Sequence, residues 1–231
     1  MTAVVPPATA RRRATGTLKP PVRAGVRLVG TGLARSVLRL TVEGAQHVPA
    51  HGPVLLAGNH SGILDGPLVF FVSPRPAGLL TKSEVFVGPW ARACGWLGLI
   101  PVHRGQADRA ALQAGLAQLA GGGALGVFPE GTRGSGGFDQ ITDGLAYLAL
   151  RSGAPVVPIA VLGTGAALPR GRTVPTLRAP VRVVFGPPVT VDPVGDPRAR
   201  RTVRAAAEQL RLALLGHLQS TQQPSSTEEP A

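Results

Sequence analysis

The stretch Val54-Leu55-Leu56-Ala57-Gly58-Asn59-His60-Ser61-Gly62-Ile63-Leu64-Asp65-Gly66-Pro67 decides the fold class. An apolar run at 54–57 reads as a strand. A polar turn containing Gly62 follows it. Gly66-Pro67 then follows Asp65 as a helix first turn follows its N-cap. Strand, polar turn and helix recur in that order along the chain.

Working outward, strands are expected at 40–43, 78–81, 99–102, 124–128, 156–162 and 181–185. Helices are expected at 67–72, 85–94, 108–120, 142–152 and 198–219. Asp108 is placed to cap the helix at 108–120, and Gly121-Gly122-Gly123 to end it. Strands alternating with helices indicate an α/β layered domain. With 231 residues, one domain is the natural expectation. It is assigned to 41–219, behind a basic arm at 1–20 expected to be disordered and ahead of a polar tail at 220–231.

Between arm and domain, Val22, Val26, Val29, Leu33, Val37 and Leu40 recur at helical spacing, with Arg23, Arg27, Arg35 and Arg39 on the opposite half. This predicts an amphipathic helix over 21–40 that either lies on an anionic membrane or packs its apolar stripe on the domain. Gly25, Gly30 and Gly32 weaken the helix.

There are 24 Lys and Arg against 12 Asp and Glu, a formal charge of +12. Such a surface attracts polyanions, an anionic leaflet or nucleic acid. With only six Phe, two Trp and one Tyr, no zinc spacing and no basic-aromatic alternation, nucleic acid is the weaker partner. The single Cys94 cannot form an internal disulfide, reads as core filler and fits a reducing compartment. The uncharged runs 110–129 and 152–169 hold Gln, Gly or Pro and read as buried elements with turns, not membrane spans. No secretory signal is legible at the start.

His60 and Asp65 are a base and a carboxylate five residues apart. Neutral imidazole can take a proton from a hydroxyl nucleophile, and a carboxylate on its other nitrogen fixes the tautomer. On a continuous helix the two would stand about 140° apart, so they meet only if His60 lies in a turn before the helix. The alternative is a plain one: Asp65 as an N-cap and His60 as a loop histidine. No Gly-x-Ser-x-Gly elbow surrounds Ser61, which favours direct attack by a substrate hydroxyl.

Phe128-Pro129-Glu130-Gly131-Thr132-Arg133 follows an expected strand end, where α/β sheets bind ligands. Gly131 lets backbone approach a ligand, and Arg133 can grip a phosphate with paired donors. Lys82 and Arg104 also follow strands. Three cations past three strands suggest a phosphate-sized ligand; the alternative is solvated surface charge.

Together these segments resemble the lysophospholipid and glycerophosphate acyltransferase family, in particular its bacterial 1-acylglycerol-3-phosphate branch. Asn59-His60 to Asp65 matches an Asn-His-x4-Asp block. Residues 98–104, 129–133 and 154–159 match three further blocks in order, and the likeness runs from about 40 to 190.

The resemblance implies a glycerophosphate acyltransferase-like mixed α/β sheet flanked by helices. It implies transfer of a fatty acyl group from an acyl-CoA or acyl-carrier-protein thioester to a lysophospholipid hydroxyl, with no metal or redox cofactor. His60 would be the general base and Asp65 its orienting partner. Glu130, Gly131, Thr132 and Arg133 would bind the acceptor, with Lys82 and Arg104 near its phosphate. A peripheral position on the cytoplasmic membrane face follows. His103 stands where Asp or Asn is usual, Gly126 where Phe is frequent, and Thr142 where Lys or Arg is common. Another lysolipid or glycolipid acceptor, or a non-catalytic membrane-binding protein, are the rival readings.

Overall fold

The computed structural model describes residues 20–103, 108–131, 134–192, 195–197 and 199–223. Helix α1 (Pro20–Val37) leads into strand β1 (Arg39–Glu43). There follow β2 (Val54–Gly58), α2 (Asp65–Val72), β3 (Ala77–Lys82), α3 (Trp90–Leu97), β4 (Leu99–Val102), α4 (Arg109–Ala120) and β5 (Ala124–Val127). Then come α5 (Asp143–Ser152), β6 (Val156–Leu162), the short α6 (Thr164–Ala167), β7 (Pro180–Phe185) and α7 (Arg200–Gln222). Single 3-10 turns occupy Ala45–His47 and Ser83–Val85.

The strands form one mixed sheet in the order β1-β7-β6-β2-β5-β3-β4. All neighbours pair in parallel except β6 with β7. The central strands are buried on both faces, so their sequences read as continuous apolar runs. Side chains still alternate. Leu55 and Ala57 of β2 join Leu125 and Val127 of β5 against α4, α5 and α7. Val54 and Leu56 face the other way, with Val157, Ile159 and Val161 of β6, against α2 and the end of α1. The result is helices on two sides of one sheet, the fold class expected from the alternating pattern.

The parallel order sends the C-terminal ends of β2, β3, β4, β5 and β6 to one edge. The opposite edge is pinned by Arg75, whose guanidinium donates to the carbonyls of Pro49, Gly52 and Gly122 at 3.0, 2.8 and 2.6 Å. One planar cation thereby ties the loops that feed β2 and β5.

Several boundaries differ from expectation; α2 begins at Asp65, two residues before the expected 67–72. The helix placed at 85–94 starts at Trp90, because Gly88 takes φ +51 and Pro89 bars helix from the residue before it. The last helix begins at Arg200 and reaches Gln222, into the expected tail. The N-terminal helix stops at Val37, and Leu40 belongs to β1. Helix α6 had no expected counterpart: four residues carry no legible period.

The orientation of α1 also departs from the simpler reading. Its apolar stripe does not pack on the domain as a whole. Val29 is 71% exposed and Leu33 65%, and Leu28 is 77% exposed, while Arg23 and Arg27 turn inward. Arg23 donates to the carbonyls of Ala77 and Leu97, both at 3.1 Å, joining the start of α1 to the end of α3. Burial lowers the pKa of both guanidinium groups. Contact with α2 runs through Gly30 and Thr31. A Cβ on Gly30 would lie 2.3 Å from the Phe71 ring, and Thr31 donates to the Phe71 carbonyl at 3.0 Å. The tight seat for a glycine fixes which face of the helix turns in.

Candidate active site

Strand β2 ends at Gly58, and its ladder is extended by one side chain. Asn59 is buried. Its Oδ1 accepts from the Val161 amide at 2.7 Å and its Nδ2 donates to the Val161 carbonyl at 3.0 Å. This amide pairing with β6 frees the following backbone to leave the sheet and turn.

In that turn His60 Nδ1 lies 3.0 Å from Asp65 Oδ2. The pair meets because His60 precedes the helix, as the spacing required. Asp65 is the first residue of α2, one position past its N-cap. Its side chain turns back across the loop and its Oδ2 also accepts from the amides of Ser61 and Gly62, each at 2.7 Å. Its Oδ1 accepts from Thr164 Oγ1. Asp65 is fully buried, and these four donors hold the carboxylate in one orientation. A carboxylate can only accept, so Nδ1 must be the donor. The lone pair then sits on Nε2, the nitrogen a substrate would meet. The imidazole stacks on Phe128 with 4.6 Å between ring centres, and its side chain is 15% exposed.

Gly62 is needed for close approach. A Cβ there would lie 2.9 Å from Thr164 Oγ1 and 3.1 Å from its Cβ. The glycine lies in the turn, as expected, and admits α6 against it; its backbone is not left-handed.

Glu130, just past β5, accepts from the His60 amide through Oε1 at 3.2 Å. Burial pushes its carboxyl pKa up, and the hydrogen bond from His60 opposes that shift. Gly131 takes φ +70. Thr132, Arg133 and Arg104, expected beside them, lie outside the described residues.

Lys82 ends β3, where its Nζ pairs with Glu84 Oε1 at 2.8 Å. That partner holds the Glu84 carboxyl down at about 2. His103, after β4, pairs through Nδ1 with Asp108 at 3.0 Å. The amides of His103 and Ala111 hold Asp108 down at about 2, and the bond to Ala111 is the expected helix cap. Among the described residues no cluster of His, Cys, Asp or Glu could hold a metal ion.

The stretch 134–137 sits on the turn that carries His60. Gly134 donates to the His60 carbonyl at 3.1 Å. Gly136 is buried at φ +70, and a Cβ on it would lie 3.0 Å from the Ser61 Cβ.

Thr164, Phe128 and the bridging role of Asn59 were not read from the sequence. Thr164 carries the clearest missed signal. It stands just past the end of β6, where residues of an α/β sheet line the crevice.

The acyltransferase family model matches residues 39–162. The 1-acyl-sn-glycerol-3-phosphate acyltransferase LPAT1, chloroplastic, of Arabidopsis thaliana is 28% identical over 160 residues, 65% of this chain and 44% of the relative. The 1-acyl-sn-glycerol-3-phosphate acyltransferase of Borreliella burgdorferi is 28% identical over 132 residues, 55% of this chain and 52% of the relative. The chain thus spans about half the length of these curated relatives. The crystal structure of the 1-acyl-sn-glycerophosphate (LPA) acyltransferase PlsC from Thermotoga maritima superposes with a TM-score of 0.68 at 23% identity. It covers 89% of this chain and 82% of that one, which shows a shared fold. Because the family match runs from the first residue of β1 to the last of β6, and so takes in the strand ends that carry the His60–Asp65 pair, the chain belongs to the acyltransferase family.

Proposed function

We propose that this chain transfers a fatty acyl group from an acyl-CoA or acyl-carrier-protein thioester to the free hydroxyl of 1-acylglycerol-3-phosphate, giving phosphatidic acid. The observation that carries the reading is the His60 Nδ1 to Asp65 Oδ2 contact at 3.0 Å, with Asp65 fully buried and His60 still reachable. The names of the relatives supply the acceptor.

His60 Nε2 takes the proton of the acceptor hydroxyl as its oxygen attacks the thioester carbonyl. Asp65 stabilises the imidazolium that forms. The tetrahedral intermediate collapses, the C–S bond breaks, and the leaving thiolate takes the proton back from Nε2. Each proton and bond is accounted for by the two substrates and one imidazole, and the step calls for no metal or redox cofactor. Glu130 steadies the turn by accepting from the His60 amide. By sequence position, Gly131, Thr132 and Arg133 are assigned to bind the acceptor, with Arg104 and Lys82 at its phosphate. The Lys82–Glu84 pair is exposed, so releasing Lys82 to a phosphate costs little.

Catalysis takes place with the chain docked on an anionic membrane, on the cytoplasmic side, which suits a free, buried Cys94. The face of α1 supports this reading. A helix meant for water would bury Val29 and Leu33 and expose Arg23 and Arg27; here the reverse holds. Trp90 and Trp96 of the neighbouring α3 are 53% and 46% exposed, and tryptophan favours the headgroup layer. No helix among the described residues is long and apolar enough to cross a membrane.

The test is a panel of lysolipids in mixed micelles with one radiolabelled long-chain acyl-CoA and one acyl-carrier protein. Phosphatidic acid formed faster than any other product supports the assignment. Faster acylation of a glycolipid or of a different lysophospholipid would move the acceptor. Vesicle binding with no acylation of any acceptor would replace the enzyme by a membrane-binding protein.

A further inference from the structure

The catalytic turn has a second neighbour that the mechanism above does not use. A cleft of about 460 Å³ is walled on one side by Ser61, Gly62 and Ile63 and on the other by the segment from Gly165 to Arg172. Its lining holds two cations, Arg170 and Arg172, and no carboxylate. Both arginines are exposed, and neither forms an ion pair among the described residues. By contrast, Arg182 and Arg211 are bound to acids, and Arg75 is spent on three carbonyls.

The segment has a defined shape. Gly171 takes φ +87, and Arg172 donates its amide to the Pro169 carbonyl at 3.1 Å, so the two arginines flank a closed turn. Thr176 donates to the Ala167 carbonyl at 2.8 Å, tying down the far end. At its start, Thr164 bonds the Asp65 carboxylate. The arginine turn is therefore fixed to the same framework as the dyad.

The strand order gives the cleft its meaning. β2, which carries His60, lies between β6 on one side and β5, β3 and β4 on the other. Lys82 belongs to the β3–β4 side. Arg170 and Arg172 belong to the β6 side. A base between two separate basic flanks suits a transfer between two anionic substrates, each held from its own side.

We infer that the cleft beside Ser61–Ile63 is the donor subsite, in which Arg170 and Arg172 bind phosphate of the thioester's carrier arm. This rests on the acyltransferase reading above and names the site for its second substrate. The chemistry recognised is a phosphate ester attached to a pantetheine chain, common to coenzyme A and to a carrier protein. Arginine suits it, because its planar donors match phosphate oxygens in pairs. Ile63, Leu168 and Pro169 give the arm an apolar wall.

The experiment compares wild type with the double variant Arg170→Ala/Arg172→Ala on three palmitoyl donors: coenzyme A thioester, carrier-protein thioester and the phosphate-free pantetheine thioester. Acceptor and donor are varied in turn. Expected is a rise in KM for the phosphorylated donors of about tenfold or more, the size of a lost charged hydrogen bond. KM for lysophosphatidic acid should stay within about twofold by the same arithmetic. The deficit should shrink on the phosphate-free donor. Loss on both phosphorylated donors assigns the shared phosphodiester; loss on coenzyme A alone assigns its nucleotide phosphates. Arg170→Lys/Arg172→Lys should recover part of the effect. A rise in acceptor KM instead, an equal loss on the phosphate-free donor, or no loss at all overturns the inference while wild-type turnover keeps the acyltransferase reading standing. If wild type acylates nothing from any donor, that reading fails and the subsite falls with it.

Discussion

Thr164 donates its hydroxyl to Asp65 across 99 positions of sequence, so the pair is completed by the segment that follows the neighbouring strand β6. Ser61 Oγ lies 3.2 Å from the same hydroxyl. The contact links the start of α2 to the segment after β6. Thr164 does not reach the imidazole. In the proposed mechanism its effect passes through the carboxylate, as a positioning residue.

Thr164→Val keeps the shape and removes the donor. One oxygen of a buried carboxylate then loses its partner, at about 1.5–3 kcal/mol. Expressed in the transition state this is a fall in kcat of roughly tenfold to a hundredfold, with acceptor and donor KM little changed. Thr164→Ser should restore most of the rate. The pH–rate profile is the informative readout, since a residue that merely packs would leave its inflection in place.

Gly62→Ala adds a methyl where Thr164 is already in van der Waals contact. The turn or α6 must move by several tenths of an ångström, and the amides of Ser61 and Gly62 move with it. We expect kcat to drop at least tenfold, for a stability loss of about 1–3 kcal/mol typical of overpacking. Urea melts with parallel rate measurements check this. A variant with unchanged kcat would show that the site tolerates the shift.

Asp108→Asn tests the cap of α4 and its pH dependence. The folded carboxyl titrates at about 2 against an ordinary value of 3.8. Because the folded pKa is depressed, its contribution is complete above the unfolded value and disappears as pH falls from about 4 towards 2. Wild type should therefore lose its advantage over Asp108→Asn across that window. Acid unfolding curves that stay parallel down to pH of about 2 would contradict the assignment.

Leu28→Asp/Leu33→Asp places two charges on the exposed face of α1. Flotation with vesicles containing phosphatidylglycerol should fall sharply, while thermal stability changes by about 0.5 kcal/mol or less, as for other surface positions. A large loss of stability with binding intact would mean that this face packs on protein.

Much of this is legible in the sequence. The alternation of apolar runs with polar turns marked the two-sided sheet, because parallel strands buried on both faces leave long uncharged stretches. The five-residue spacing of His60 and Asp65, with Gly66-Pro67 behind it, called for a turn followed by a helix, and both are present. The rest depended on distance in space. Nothing local to Thr164 announces a partner at Asp65. The helical wheel of 22–40 ran past the end of α1 at Val37 and left open which side turns inward. That was decided by Gly30, whose missing Cβ lets Phe71 in. Helix α3 began late because Gly88-Pro89 outweighed the apolar pattern around them.

The most direct test of the central claim is acyl transfer from palmitoyl thioester to lysophosphatidic acid by wild type, His60→Ala and Asp65→Asn, with circular dichroism and melting curves on each. His60→Ala should be folded and slower by roughly a hundredfold or more, the usual share of a general base, and Asp65→Asn intermediate or equally slow. A folded His60→Ala protein that acylates near the wild-type rate would contradict the account.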